Sequence, residues 1–108
     1  MGWFTPEMEM FQGTQRAHDD RYRYGAEWLG IVKRLWTDET PFDFDSADFH
    51  IKQAQAHPKP IQKPHPVLIN AGHSPAATDF SAREVDFSFV GFDSVEAVEA
   101  VAARIRGV

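Results

Sequence analysis

The sequence predicts an α/β fold in which two short strands run parallel and each feeds a helix. Three observations carry this. Val67-Leu68-Ile69 is an apolar run closed by Asn70-Ala71-Gly72 and followed by Ser74-Pro75, a helix start. Asp86-Phe87-Ser88-Phe89-Val90 is a second β-prone run, with room for only one short helix before it. Gly91 turns out of that run ahead of a further helical stretch. Strand, helix, strand, helix at this spacing implies parallel pairing. A parallel sheet needs both faces covered, and two strands do not bury themselves. The 108 residues therefore read as a slice of a larger α/β fold.

Taken in order, residues 1–13 hold Trp3, Phe4, Met8, Met10 and Phe11 with no clear period, and read as an apolar loop in need of a partner surface. A helix follows over about 18–37. Within it Tyr22, Gly25, Trp28, Leu29, Val32, Leu35 and Trp36 fall on one stripe, with Glu27, Lys33 and Arg34 off it. Asp19 and Asp20 suit its first turn, where the helix dipole favours negative charge. Pro41 stops the helix. Phe42-Asp43-Phe44-Asp45 and Phe49-His50-Ile51-Lys52 then alternate with period two on either side of Ser46-Ala47-Asp48, which predicts a β-hairpin. Pro58, Pro60, Pro64 and Pro66 predict an extended, polyproline-like continuation, so that an insert occupies about 41–66.

The strand–helix–strand–helix unit fills 67–108: a short buried strand at 67–70, a helix from Pro75 to about Glu84, the strand at 86–90, and a last helix. Asp93-Ser94-Val95-Glu96 matches a capping box with Asp93 as N-cap. Val98, Val101, Ala102 and Ile105 share one face of that helix; Glu96 and Glu99 lie early and Arg104 and Arg106 late, as the dipole prefers. The whole is one partial domain.

Composition narrows the partners. A net charge of −5 argues against nucleic acid or an anionic membrane surface. The absence of cysteine excludes disulfides, thiol chemistry and Cys-based zinc sites. The N-terminal residues lack a signal-peptide pattern and no run approaches a membrane span, so the expected setting is the cytoplasm. Nine Phe, three Trp and two Tyr are many for this length and imply a large apolar interior or an interface, with which homo-oligomers are compatible. The five histidines show no metal-ligand spacing, and Asp43, Asp45 and Asp48 lack the Gly and Glu of a calcium loop. Phe42, Phe44 and Phe49 read as packing residues.

The chemistry-bearing stretch is Asn70 to Pro75. A strand ending in Gly that feeds a Ser-Pro helix start presents backbone N–H groups, a hydroxyl and the positive end of a helix dipole to one point. Beyond the carboxyl end of a parallel strand, that is where ligand phosphates sit. Ser74 serves equally well as a plain N-cap, Tyr22 as a stripe residue and Arg21 as a solvated charge.

These residues also carry a resemblance. His18-Asp19-Asp20-Arg21-Tyr22-Arg23-Tyr24-Gly25-Ala26-Glu27-Trp28, then Ile31 to Trp36, Phe42 to Phe49, Pro58-Lys59-Pro60 and Asn70 to Ala77, together resemble the flavin-dependent luciferase-like monooxygenases, in the alkanesulfonate and pyrimidine monooxygenase branch. The resemblance implies a segment of a (β/α)8 TIM barrel, from after strand four to about helix six. A closed barrel takes about 250 residues, so the chain is too short to close one. It further implies reduced FMN from a separate NAD(P)H-dependent flavin reductase, O2 as co-substrate and a small organic substrate. Family positions that contact FMN, chiefly its phosphate, fall on Arg21, Tyr22 and Ser74, with His73 standing where the family more often has Ser. No catalytic residue is legible, and the chain by itself is expected not to turn over.

Overall fold

In a computed structural model, residues 4–11, 13, 16–91 and 94–108 are described. They form eight elements: α1 (Thr5–Met10), α2 (His18–Thr37), β1 (Phe42–Asp45), β2 (His50–Ala54), β3 (Ile69–Ala71), α3 (Pro75–Glu84), β4 (Phe87–Phe89) and α4 (Val95–Arg106). The expected N-terminal loop is instead partly helical. Pro6 in the first turn of α1 pre-sets the backbone angle, and Glu7 beside it suits the dipole. Phe4, Met10 and Phe11 remain exposed there, and Trp3 lies outside the described residues.

α2 is the spine. One face, through Tyr22 and Leu29, joins Ala77 and Phe80 of α3 in the core, with Ala26, Leu68, Ala76 and Val85 packed around them. The opposite face meets the hairpin: the Arg34 guanidinium lies 4.0 Å over the Phe42 ring, and Tyr24 stacks on Phe49 at 4.9 Å. Phe42 is buried, as a packing residue should be. Trp28 departs from the expected stripe and is 48% exposed. A helix covered on two sides has a broader apolar contact region than one stripe describes, and Trp28 lies at its uncovered edge.

β1 and β2 pair antiparallel, Phe44 opposite Ile51 and Asp45 opposite His50, with a register shift between Phe42 and Phe44. Opposite that shift Gln53 has φ 52°, and the Asp43 carboxylate accepts from its backbone N–H at 2.8 Å and its side-chain amide at 3.1 Å. These two bonds hold the Asp43 carboxyl below the usual carboxylate range, the backbone bond most. The proline-rich segment bends repeatedly over residues 61–66 rather than running straight. Lys59 ties it to the spine by donating to the Leu35 carbonyl at 2.9 Å.

β3 and β4 pair in parallel, Ile69 with Phe87, Asn70 with Ser88 and Ala71 with Phe89. Asp86 sets the register: its carboxylate accepts from Leu68 N–H at 2.9 Å, and Leu68 O accepts from Asp86 and Phe87 N–H. The first strand of this pair begins two residues later than the apolar run suggests, and it is not buried, because Ile69 is 65% exposed. α3 lies between the strands in sequence and is fixed at its end by Lys33, which donates to Glu84 O at 2.7 Å. α4 rests on α3 through a two-bond Arg104–Asp79 pair, 3.0 Å each. Its N-cap is Ser94, one residue beyond the expected Asp93: the Ser94 hydroxyl accepts from Ala97 N–H at 3.2 Å, while Asp93 lies outside the described residues. The result is a mixed α/β unit with one parallel and one antiparallel pair of strands; no closed barrel is formed by the described residues.

Candidate functional site

The site is assembled where β3 ends and α3 begins. Gly72 has φ 149°, a conformation essentially reserved for glycine. A Cβ there would stand 2.9 Å from the Ala77 Cβ and 3.3 Å from the Tyr22 hydroxyl. The strand-to-helix turn thus wraps closely against α3 on one side and the Tyr22 phenol on the other. Tyr22 itself is 9% exposed, with Phe80 at 5.7 Å and His18 at 5.4 Å between ring centroids. Its ring belongs to the core, and its hydroxyl lies against the turn.

Ser74 is the N-cap of α3, its Oγ accepting from Ala77 N–H at 3.2 Å. Accepting that bond leaves the hydroxyl proton free to donate elsewhere. Thr78, fully buried, donates to the Ser74 and Pro75 carbonyls, and Thr78 N–H also bonds to Ser74 O. Pro75 has no N–H and Ala77 and Thr78 spend theirs on Ser74, so Ala76 N–H is the first-turn donor that the helix does not use. The first turn of α3 carries no acidic residue, whereas α1, α2 and α4 all do.

Of the four residues singled out from the sequence, the structure brings Tyr22 against the Gly72 turn that Ser74 closes. His73 is exposed on that same turn. Arg21 adjoins Tyr22 in the first turn of α2, half-buried, with its Nε shielded from solvent. Two hydroxyls and a helix N-terminus at this turn are donors of the kind that a phosphate accepts from, and Arg21 is the cation next in sequence to one of them.

Sequence reasoning missed the contact between Gly72 and Tyr22, two residues fifty positions apart, for which local pattern carries no signal. It also passed over a network beside the site. Arg16 bonds Asp20 at 3.4 Å and Asp48 at 3.0 Å; Arg23 bonds Asp20 at 2.7 Å and Asp48 at 2.9 Å. The Arg23 hydrogen bond, then that of Arg16, holds the Asp20 carboxyl below its ordinary range despite the opposing effect of desolvation. Bonds to Asp48 and then Asp20 raise Arg23. The i,i+4 and i,i+3 spacings of Arg16, Asp20 and Arg23 were legible; Asp48, on the hairpin, was not.

The model of the family described as luciferase-like monooxygenases matches residues 1–108. The chain belongs to the luciferase-like monooxygenase family. Among proteins similar to this luciferase-like chain is an FMNH2-dependent dimethylsulfone monooxygenase of Pseudomonas putida, 34% identical over 97% of the chain and 29% of the relative. Another carries the same name in Pseudomonas fluorescens (strain Pf0-1), 30% identical over 97% of the chain and 28% of the relative. The chain thus spans less than a third of the length of these curated relatives.

Proposed function

We propose that this chain supplies one wall of the flavin site in a two-component monooxygenase, the wall that grips the phosphate of reduced FMN. The observation carrying the reading is the Tyr22 hydroxyl packed against the Gly72 turn, at the mouth of the acid-free N-terminus of α3. In this reading Ser74 Oγ–H and Ala76 N–H donate to phosphate oxygens from the helix end. Tyr22 adds a phenolic donor from the spine, and Arg21 supplies the compensating positive charge. His73 contributes through the backbone of the turn. Bound reduced flavin supplies the two electrons that let O2 place one oxygen atom in the substrate and release the other as water. The chain's own residues hold the far end of the cofactor, fixing where its ring stands. A separate NAD(P)H-dependent reductase supplies the reduced flavin. The relatives' names favour a small organosulfur compound as substrate, a class that sulfones and sulfonates share.

Titration of FMN fluorescence with the protein tests this, with riboflavin, which lacks the phosphate, as the comparison. Tighter binding of FMN than of riboflavin, lost in Ser74→Ala, is the expected result; equal binding of the two refutes it. No oxygenation of sulfones or sulfonates is expected from the 108-residue chain with a reductase, FMN and O2, since a complete site must exclude water around the reacting ring. Robust turnover would overturn that part of the reading.

A second reading, an assembly module without catalysis that pairs with another chain, is favoured by one observation. Ile69, Phe87 and Phe89 are 65%, 62% and 70% exposed on a single sheet face. Native mass separates the two: a monomer that binds FMN supports the first, and an oligomer indifferent to FMN supports the second.

A further inference from the structure

We infer that Asp48, on the hairpin insert, is a positioning residue for the phosphate-binding turn, acting through Arg16 and Arg23 on the start of α2. The inference rests on the proposed phosphate site and adds a part to it: the insert controls how firmly two of the proposed phosphate donors are held.

The need for such a device lies in the local structure. Arg21 and Tyr22 sit in the first turn and a half of α2, and the N-cap of that helix, Ala17, offers no side-chain hydrogen bond. An uncapped helix start leaves backbone N–H groups without partners and frays. The two helices that follow β3 and β4 have serine caps, Ser74 for α3 and Ser94 for α4. α2 is held by side chains instead.

Those side chains form a closed circuit. Asp20 bridges Arg16 and Arg23 on the helix side, and Asp48 bridges the same two arginines on the hairpin side through separate oxygens. Arg23 Nε also donates to Asp20 Oδ1 at 2.8 Å, so its planar fork is held on two sides. Asp48 is the least exposed member, at 12%, and its backbone N–H is fixed by the Ser46 hydroxyl in the hairpin turn. Arg16 lies 4.4 Å over the Tyr24 ring, which stacks on Phe49, so an aromatic contact closes the same joint. Glu27 adds a longer contact of 3.8 Å to Arg23, so three carboxylates face two guanidiniums. An isolated exposed ion pair is worth little, but a network of shared bonds restricts geometry.

The circuit brackets the site residues in sequence and ties their helix to the hairpin. Asp20 and Arg23 flank Arg21 and Tyr22. Being three apart, they share the helix face turned to the hairpin, while Tyr22 and Leu29 face α3. The circuit therefore holds the first turn from behind, and the Tyr22 hydroxyl stays seated at the Gly72 turn.

The test is Asp48→Asn in the full chain, read as the ratio of FMN to riboflavin affinity by fluorescence titration, with thermal melting alongside. Loss of charge-assisted bonds is expected to reduce that ratio about tenfold, with riboflavin affinity nearly unchanged. The direction is informative because the substitution makes the protein less negative, which by charge alone would favour the FMN dianion. Asp48→Glu is expected to restore part of the ratio. If Asp48→Asn does not fold, Arg16→Lys keeps the charge, loses the shared fork, and is expected to lower the ratio by a smaller factor. A purely structural role would lower the melting temperature and both affinities together. An unchanged ratio in a folded Asp48→Asn, or in Arg16→Lys where the former does not fold, overturns the inference and leaves the phosphate site standing. Absence of any FMN preference in the unsubstituted protein overturns both.

Discussion

Gly72→Ala is the sharpest perturbation available to the site. Its φ of 149° lies where side chains carry a penalty, and holding a non-glycine residue in such a region costs about 1–3 kcal/mol. The added methyl would also meet the Ala77 Cβ at 2.9 Å and the Tyr22 hydroxyl at 3.3 Å. Ala77 is fully buried on the first turn of α3, and Tyr22 is wedged between Phe80 and His18. Neither neighbour yields easily, and overpacking of this kind costs about 1–3 kcal/mol. The two effects relieve each other in part, so a loss of about 2–5 kcal/mol is expected, against a domain total of about 5–15 kcal/mol. Gly30→Ala is the matched control. It lies inside α2 with nothing within 4 Å of the added atom, and exchanging a helical glycine for alanine there stabilises by about 0.5–1 kcal/mol. Urea unfolding of the two variants should therefore move the midpoint in opposite directions, with an unchanged slope in each. A Gly72→Ala variant within about 0.5 kcal/mol of the parent would refute the close packing of Tyr22 on the turn, and with it the main geometric support for the phosphate site.

Three further outcomes follow from the same structure. Ser74→Ala and Ser94→Ala each remove a hydroxyl that accepts an N–H at 3.2 Å; each should cost about 1 kcal/mol in urea unfolding, but only Ser74→Ala should weaken FMN relative to riboflavin. Phe80→Ala deletes a ring 6% exposed that supports Tyr22, and should cost about 3–5 kcal/mol. Asp20 and Asp43 have folded carboxyl values below their unfolded ones, so their contribution is complete above the unfolded value of about 3.9 and is lost as pH falls through the lower folded values. These two carboxylates should accordingly add no slope to the melting temperature between neutral pH and about pH 5 and lower it below about pH 4, with Asp43→Asn showing a shallower acid limb.

Much of this was legible because it is local. Ser-Pro after a strand marked the start of α3, and the parallel pairing of β3 with β4 followed from the shortness of the connection. The hairpin was visible in the alternation of Phe42, Asp43, Phe44 and Asp45, although its bulge, fixed by Asp43 on Gln53, has no period to betray it. The first turn of α1 was misread because its apolar residues lack a stripe, while Pro6 and Glu7 alone specify a short helix. What stayed hidden is what depends on distance along the chain: Tyr22 against Gly72, Lys33 on the end of α3, and Asp48 between two arginines. The family resemblance singles out Tyr22, but that a core ring sets its hydroxyl against the Gly72 turn is a packing fact.

The two faces of the β3–β4 pair explain why the chain reads as a wall. Asn70 and Ser88, paired across the strands, are the half-buried members, and Asn70 bonds Ser81 of α3 at 2.9 Å. Ile69, Phe87 and Phe89 stand on the opposite face and are largely exposed. Full burial of such a side chain is worth about 1.5–3 kcal/mol; each is already partly buried, so covering all three would yield about 3–6 kcal/mol, near the lower end of a small domain's stability of about 5–15 kcal/mol. A face of that value favours cover strongly, by further strands of a barrel or by another chain. Whatever covers it also approaches the carboxyl ends of β3 and β4, where the turn to Ser74 begins. Cover of the exposed aromatics and the Ser74 turn thus meet at one edge of the sheet. On the proposed reading the chain's own residues hold the phosphate end of the cofactor, and the dry surroundings that its reactive end requires depend on the same cover.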